Sequence, residues 1–148
     1  MTKWEKNLKK GDLGEKIFID FLEAKGWVVM VPNNKNKAHL CDLIATYEKE
    51  KVIAFDIKTK TKMRFRNSQG INYSNYKQYI AFSELNKIPF HLVFIDNVTG
   101  EVHSANLSEL KDEFFNLDKS IIFWELKQMK FLFKITEEQK KELSLFST

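Results

Sequence analysis

Two ionisable residues interrupt an apolar stretch of the chain and could carry chemistry. Residues 52–60 are rich in β-branched and aromatic side chains, which predicts a strand whose side chains alternate between two faces. Asp56 and Lys58 share one face of this strand, where burying either charge would cost free energy. A carboxylate is a hard oxygen ligand for a divalent cation, and an ammonium stabilises charge on a phosphate. The alternative is a solvated strand face that carries an Asp–Lys ion pair.

A further carboxylate, Asp42, interrupts the preceding apolar segment at residues 40–47. A hairpin centred on Lys49 would place Asp42 opposite Asp56, with both side chains on one face of the sheet. A turn that is one residue longer would need a bulge to give the same pairing. Because two opposed carboxylates repel each other, the pair favours a bound divalent cation. The neighbouring Cys41 would point to the opposite face, into the core.

A third carboxylate, Glu15, is predicted to lie on a helix. The helix should begin at Asp12, with Glu15 three residues later at the spacing of a capping box, and should run to about Lys25. Glu15 would project at the margin of the apolar face of this helix. One explanation for Glu15 is that it closes the capping box. The other is a metal site, because a carboxylate that leans toward the core needs a partner.

Every second residue from Asp56 to residue 66 is charged. In an extended chain this pattern predicts a ribbon with one cationic edge about 20 Å long. Such an edge suits the phosphate backbone of a nucleic acid, and the alternative is a solvated edge strand guarded by lysines. A helix is predicted from about residue 74 to 87, whose tyrosines are typical of core and rim packing as well as of base stacking. The candidate nucleic-acid-binding residues are Lys60, Lys62, Arg64, Arg66, Tyr73 and Lys77.

Composition is consistent with a globular protein that binds a polyanion. The chain has 148 residues, of which 43% are hydrophobic, and its net charge is +4. Residues 1–66 carry 15 Lys and Arg against 9 Asp and Glu, whereas residues 67–148 carry 9 against 11. No apolar run is long enough to span a membrane, and no secretory signal is visible. The single cysteine fits a reducing compartment, so we expect a cytoplasmic protein without membrane association.

The order of these motifs along the chain resembles the PD-(D/E)xK nuclease superfamily. Gly14-Glu15 on a helix, Cys41-Asp42-Leu43 on a strand and Asp56-Ile57-Lys58 on its partner strand are most similar to the archaeal-type Holliday junction resolvases and their restriction-endonuclease-like relatives. The resemblance covers about residues 11–62. It implies an α/β (α+β) fold in which a mixed central sheet is flanked by helices, and it implies Mg²⁺- or Mn²⁺-dependent hydrolysis of DNA.

The resemblance also implies roles for individual residues. Asp42 and Asp56 would be metal ligands, and the backbone carbonyl of Ile57 would be a third. Glu15 would bind the metal or a water molecule on it. Lys58 would orient the attacking water and neutralise the scissile phosphate. These residues form the expected catalytic set: Glu15, Asp42, Asp56 and Lys58.

Three functions remain open from the sequence. The first is a metal-dependent endonuclease that acts on branched, Holliday-junction-like or otherwise structured DNA. The second is a non-catalytic nucleic-acid-binding module on the same fold, and the third is an interaction or assembly protein. We expect one domain over residues 1–148, with a nuclease core at about 11–106.

The aromatic-rich segment 107–148 lies outside the resemblance. It is predicted to contain a hairpin of residues 121–126 and 129–135, followed by a terminal helix. Its apolar residues could build a homodimer interface or extend the sheet, or the terminal helix could cover them within one chain.

Overall fold

The structure, a computed structural model, describes residues 1–32, 41–48 and 51–147. None of the described helices combines the length and apolar character needed to cross a bilayer. Two short 3₁₀ turns, Leu107–Glu109 and Leu126–Gln128, connect some of the longer elements. The helices and strands are α1 (Lys3–Ala24), β1 (Val28–Met30), β2 (Leu43–Tyr47), β3 (Lys51–Thr59), β4 (Ser68–Asn72), α2 (Tyr73–Asn86), β5 (Phe90–Ile95), β6 (Glu101–Asn106), β7 (Phe114–Phe115), β8 (Ile121–Glu125), β9 (Lys130–Lys134) and α3 (Glu137–Ser144).

The described strands form a six-stranded sheet in the order β1-β2-β3-β5-β6-β9 and a three-stranded sheet in the order β4-β8-β7. In the larger sheet, β3 and β5 are parallel and the other neighbours are antiparallel. A parallel pair needs a crossover connection, and β4 and α2 supply it. The mixed central sheet flanked by helices that we predicted from the sequence is therefore confirmed.

Helix α1 packs on one face of the central sheet. Its buried residues Phe18 and Leu22 join a core cluster with Leu43, Phe55 and other sheet residues. The helix begins at Lys3 rather than after Asp12, so the predicted start was wrong. Thr2 and Glu5 form the capping box instead, because the Thr2 hydroxyl accepts from the Glu5 amide at 3.1 Å and the Glu5 carboxylate accepts from the Thr2 amide at 2.7 Å.

The smaller sheet and α2 cover the opposite face of the central sheet. Ile71, Tyr79, Phe90 and Trp124 lie in this second core cluster, and Trp124 is only 1% exposed. The predicted hairpin of residues 121–126 and 129–135 was wrong. Strand β8 pairs with β4 and β7, whereas β9 pairs with β6 at the edge of the central sheet. The 3₁₀ turn between β8 and β9 buries Leu126 and redirects the chain from one sheet to the other.

The charged ribbon expected at residues 56–66 is not continuous. Strand β3 ends at Thr59, and the chain folds back so that Met63 and Ser68 form an antiparallel bridge. The reversal is made at residues 64–67, where Arg66 and Asn67 have positive φ angles of 71° and 46°. Alternating charge therefore does not place these side chains along one straight edge.

Candidate active site

The hairpin of β2 and β3 brings two carboxylates together. Leu43 pairs with Phe55, and the Asp42 amide donates to the Phe55 carbonyl at 2.9 Å. Extended by one residue pair, this register places Asp42 opposite Asp56, as a hairpin centred on Lys49 predicts. Lys49 itself lies outside the described residues. Because neighbouring strands are only about 5 Å apart, opposed side chains on one face lie close together.

Asp56 is the more deeply buried of the two carboxylates, with 2% of its surface exposed. Within the described part of the chain, its Oδ2 is buried and makes no hydrogen bond. The Lys58 ammonium lies 3.4 Å from that oxygen and is partly exposed to solvent. A buried carboxylate oxygen without a hydrogen-bond donor is costly, so this atom fits a position designed for a cation.

Asp42 is half-buried, and its Oδ2 accepts a hydrogen bond of 2.7 Å from the Ile57 amide. Burial raises the pKa of Asp42 to about 8, with the negative charge of Asp56 as the second cause and that of Glu15 as a smaller one. The Ile57 hydrogen bond acts in the opposite direction. Asp42 therefore tends to hold a proton near neutral pH, which a divalent cation would replace.

A cleft of about 520 Å³ lies between α1 and the end of β3. It brings together Glu15, Asp42 and Lys58 of the expected catalytic set, whereas the buried Asp56 is not among the described residues that line it. Glu15 is half-buried in its wall, close enough for its charge to act on Asp42. The residues that line the cleft are Asn7, Leu8, Lys10, Gly11, Asp12, Glu15, Asp42, Ile57, Lys58, Thr59 and Lys60.

The donor set resembles a magnesium site more than a zinc site. Among the described residues, no three His, Cys, Asp or Glu side chains are grouped as a ready metal centre. Mg²⁺ commonly binds through one or two carboxylates and keeps several waters, so it does not need such a group. The opposed carboxylates, the buried Asp56 oxygen and the nearby Ile57 backbone therefore fit Mg²⁺ or Mn²⁺.

The candidate phosphate-binding residues do not stay together. The Lys60 ammonium donates to the Gly70 carbonyl and lies 5.9 Å from the centre of the Phe94 ring. Burial, together with repulsion from Lys58, lowers the pKa of Lys60 to about 8. Lys60 thus lines the cleft beside Lys58 instead of lying on an outer edge.

The next residues of the expected ribbon diverge from Lys60. Lys62 is half-buried, and its amide donates to Asp96 at 3.2 Å. Arg64 is exposed on the reversal. The guanidinium of Arg66 lies 3.8 Å above the Phe114 ring and pairs with Glu125 at 3.4 Å, so it belongs to the smaller sheet.

Tyr73 and Lys77 lie close together, as their spacing on a helix predicts. The Lys77 ammonium is 4.9 Å from the centre of the Tyr73 ring. The same ring packs at 5.9 Å from Tyr76 and at 5.3 Å from Phe115. Neither Tyr73 nor Lys77 is among the described residues that line the cleft, so this pair forms a separate patch beside the smaller sheet.

Tyr79 lies next to Asp56, although no motif in the sequence marks it as a site residue. It is 6% exposed, and its pKa is raised by burial and then by the charge of Asp56 and a hydrogen bond with that carboxylate. The hydroxyl therefore stays protonated and supports Asp56. Its only signal in the sequence was that a buried tyrosine needs a hydrogen-bond partner for its hydroxyl.

Cys41 is buried in the second core cluster with Ala54 and Tyr79, as the expected core position requires. Since Ala54 and Asp56 share one face of β3, Cys41 lies on the same face of the sheet as Asp56, and the expected opposite face was wrong. Burial and the charges of Asp42 and Asp56 raise the pKa of its thiol to about 11. The thiol is therefore a packing group here and not a nucleophile.

Part of this chain is similar in sequence to proteins named UPF0102. No family model matches the sequence. A UPF0102 protein of Clostridioides difficile is 28% identical over 98 residues, which cover 61% of this chain and 85% of that protein. A UPF0102 protein of Caldanaerobacter subterraneus subsp. tengcongensis is 29% identical over 76 residues, which cover 51% of this chain and 62% of that protein. These names state neither an activity nor a substrate.

The structure is also similar to a solved structure of a known enzyme. Hjc of Archaeoglobus fulgidus, a Holliday junction resolvase, superposes with a TM-score of 0.61 at 11% sequence identity. The match covers 88% of this chain and 95% of that protein. At this identity the likeness establishes the fold.

Proposed function

We propose that this chain, which has the restriction-endonuclease-like fold of PD-(D/E)xK nucleases, is an endonuclease that hydrolyses DNA phosphodiester bonds with Mg²⁺ or Mn²⁺. One observation carries the proposal. Asp42 and Asp56 face each other at the end of the hairpin of β2 and β3, and the buried Oδ2 of Asp56, which lies 3.4 Å from the Lys58 ammonium, makes no hydrogen bond to any described residue. A protein that uses these residues only for stability gains little from opposed buried carboxylates.

The residues of the cleft divide the work between them. Asp42, Asp56 and the Ile57 carbonyl would hold the cation, which when bound supplies Lewis-acid activation of water and offsets charge on the phosphate. Lys58 is partly exposed, so its ammonium can turn from Asp56 to the scissile phosphate. Glu15, in the cleft wall, would orient the attacking water. Tyr79 would hold Asp56 in place.

We propose four-way DNA as the preferred substrate. The structurally similar Hjc is a Holliday junction resolvase, and the first 66 residues of this chain are basic. Phosphate contacts would come from several separate patches, since the basic side chains diverge after Lys60. The residues proposed for these contacts are Lys60, Lys62, Arg64, Arg66, Tyr73 and Lys77.

A homodimer through residues 107–148 remains part of the proposal, because two active sites at a fixed spacing would suit paired cuts across a symmetric junction. The apolar side chains exposed there are those of Phe115, Leu117, Phe131 and Leu145. Sedimentation of wild type and Leu117→Glu tests this. Trp124 is buried, so its substitution would unfold the protein and could not report on a dimer.

The decisive experiment is a cleavage panel with labelled four-way, flap, duplex and single-stranded DNA, in Mg²⁺, Mn²⁺ or EDTA. We expect cleavage only with metal, and most of it on four-way DNA. Asp56→Asn should be inactive, whereas Asp20→Asn, an exposed carboxylate of α1, should match wild type. DNA binding without cleavage in either metal would instead identify a non-catalytic binding module.

A further inference from the structure

One row of side chains on α1 faces the cleft. Asn7, Gly11 and Glu15 are spaced four residues apart, so they lie above one another on the same side of the helix. All three line the cleft. The position directly above the Glu15 carboxylate is therefore occupied by a residue without a side chain, which leaves a strip of helix surface bare.

Packing explains one glycine of α1 but not this one. A Cβ added at Gly14 would overlap the hydroxyl of Thr59, so the close contact of α1 with β3 requires glycine there. A Cβ added at Gly11 would meet no heavy atom of the described residues within 4 Å, apart from its chain neighbours and the local helix backbone. Glycine is a poor helix former, so an unneeded glycine inside a helix weakens it. Packing within the protein therefore does not explain glycine at this position, whereas a ligand bound against α1 would.

The neighbour of Gly11 adds a positive charge to the same wall. Lys10 lines the cleft and is half-buried, and loss of solvent lowers the pKa of its ammonium. Lys58 and Lys60 lie on the facing wall, at the end of β3. The cleft thus has cations on both walls, the Asp12 carboxylate next to Gly11, and a bare strip between Asn7 and Glu15, and Asp42 also lines it. A strand of phosphates fits this distribution, because it carries regularly spaced negative charge and needs steric room along its length.

We propose that Gly11 and Lys10 form the surface of α1 on which the cleaved DNA strand lies. We call this surface the seat. The missing side chain at Gly11 lets the phosphodiester backbone pass against α1, and Lys10 neutralises a phosphate adjacent to the scissile one. Both are positioning residues that set how the strand enters the cleft. The identity of the ligand rests on the proposed function, whereas the open space at Gly11 does not.

The test of Gly11 separates binding from stability. Gly11→Ala should raise the melting temperature by about 3 °C, because alanine favours the helix and meets nothing in the protein. It should also weaken binding of fluorescent four-way and duplex DNA about tenfold in EDTA, and Gly11→Leu should weaken it more. In cleavage assays the loss should appear in KM more than in kcat. Asp20→Ala, an exposed change on the same helix, is the control and should leave affinity unchanged.

The test of Lys10 uses salt dependence. Lys10→Ala should lower DNA affinity and reduce the slope of log affinity against log salt by about one unit. Lys10→Arg should restore both. Lys16→Ala removes an exposed charge from the same helix outside the cleft lining, so it should leave the slope close to that of wild type.

The outcomes distinguish this inference from the proposed function. If Gly11→Ala is more stable and binds DNA as tightly as wild type, the seat is wrong even where the enzyme cleaves. If wild type binds DNA without cleaving it and Gly11→Ala still binds more weakly, the seat is supported and the nuclease activity fails. If wild type binds none of the DNA probes, both are wrong.

Discussion

Two charged clusters of this protein differ in burial and in the signs of their neighbouring charges. At the end of the hairpin of β2 and β3, Asp42 and Asp56 face each other, and the second of them is almost completely buried. On the smaller sheet, Glu125 lies between Arg66 at 3.4 Å and Lys127 at 3.5 Å, with all three side chains open to water. In the surface cluster the neighbouring charges are opposite in sign and water screens them, so the cluster contributes little free energy. The two carboxylates of the buried pair repel each other when both are ionised, so a proton or a bound cation is needed between them.

Among the substitutions in the two clusters, Asp56→Ala should have the largest effect on activity. We expect cleavage to fall on the order of 100-fold or more, since even the outer partners of metal ligands matter to that extent. Mg²⁺ should raise the melting temperature of wild type but not of the variant, because linkage requires binding to the folded state. Calorimetry with and without Mg²⁺ measures the shifts. Equal shifts in both proteins would rule out the metal assignment, and Asp20→Asn controls for loss of a carboxylate.

Lys58→Ala tests whether Lys58 stabilises charge on the phosphate without contributing to binding of the metal ion. Cleavage should fall about 100-fold, the size expected when one preorganised group that stabilises transition-state charge is lost. The Mg²⁺-induced rise in melting temperature should persist, because both carboxylates remain. Single-turnover cleavage and calorimetry measure the two effects. Retained activity would assign Lys58 to the ion pair with Asp56 alone.

The acid pair should also make the stability of the metal-free protein depend on pH. The pKa of Asp42 is raised from 3.8 to about 8 on folding, so its stabilising contribution is present below pH 4 and is lost as pH rises through 8. The loss should be on the order of 2–4 kcal/mol, at about 1.4 kcal/mol per pKa unit with screening allowed for. Urea unfolding in EDTA at pH 5 and pH 8.5 measures it. Asp42→Asn should flatten the difference, and an unchanged difference would contradict the coupling.

The surface cluster should respond least. Glu125→Gln removes its central charge but leaves Arg66 over the Phe114 ring. The free energy of unfolding should change by about 0.5 kcal/mol or less, because exposed ion pairs contribute little. Urea unfolding at low and high salt measures this. A loss comparable to that at the acid pair would show that the two clusters do not differ in the way we infer.

The same comparison shows which parts of the structure the sequence could predict. The Asp42–Asp56 pairing follows from a short hairpin and a side-chain period of two, so local information sufficed. The partner of β4 is β8, which pairs Ser68 with Glu125, and no local pattern specifies a contact over that separation. The reversal after β3 was missed because Arg66 holds a positive φ angle that glycine would normally signal.

The start of α1 was missed for a different reason. Thr2 with Glu5 and Asp12 with Glu15 both match the spacing of a capping box, and the glycine before Asp12 favoured the second. Choosing Asp12 left Lys10 and Gly11 outside the helix and therefore outside the site. The role of Tyr79 depended on the packing of α2 against the central sheet, where its ring stacks on Phe90 of β5 with 4.4 Å between the ring centres, and the sequence does not specify such tertiary packing.

Because Cys41 is buried, the alkylation rate of its thiol can report local opening of the protein near the site. It is the single cysteine of the sequence, and its raised pKa leaves almost no thiolate while the strand is closed. Alkylation can then proceed only during local opening, in the manner of a slowly exchanging amide. Because Asp42 is the next residue, the labelling rate of this thiol in the wild-type protein reports how often the strand that carries Asp42 opens. A bound cation should make such openings rarer and should therefore slow the labelling.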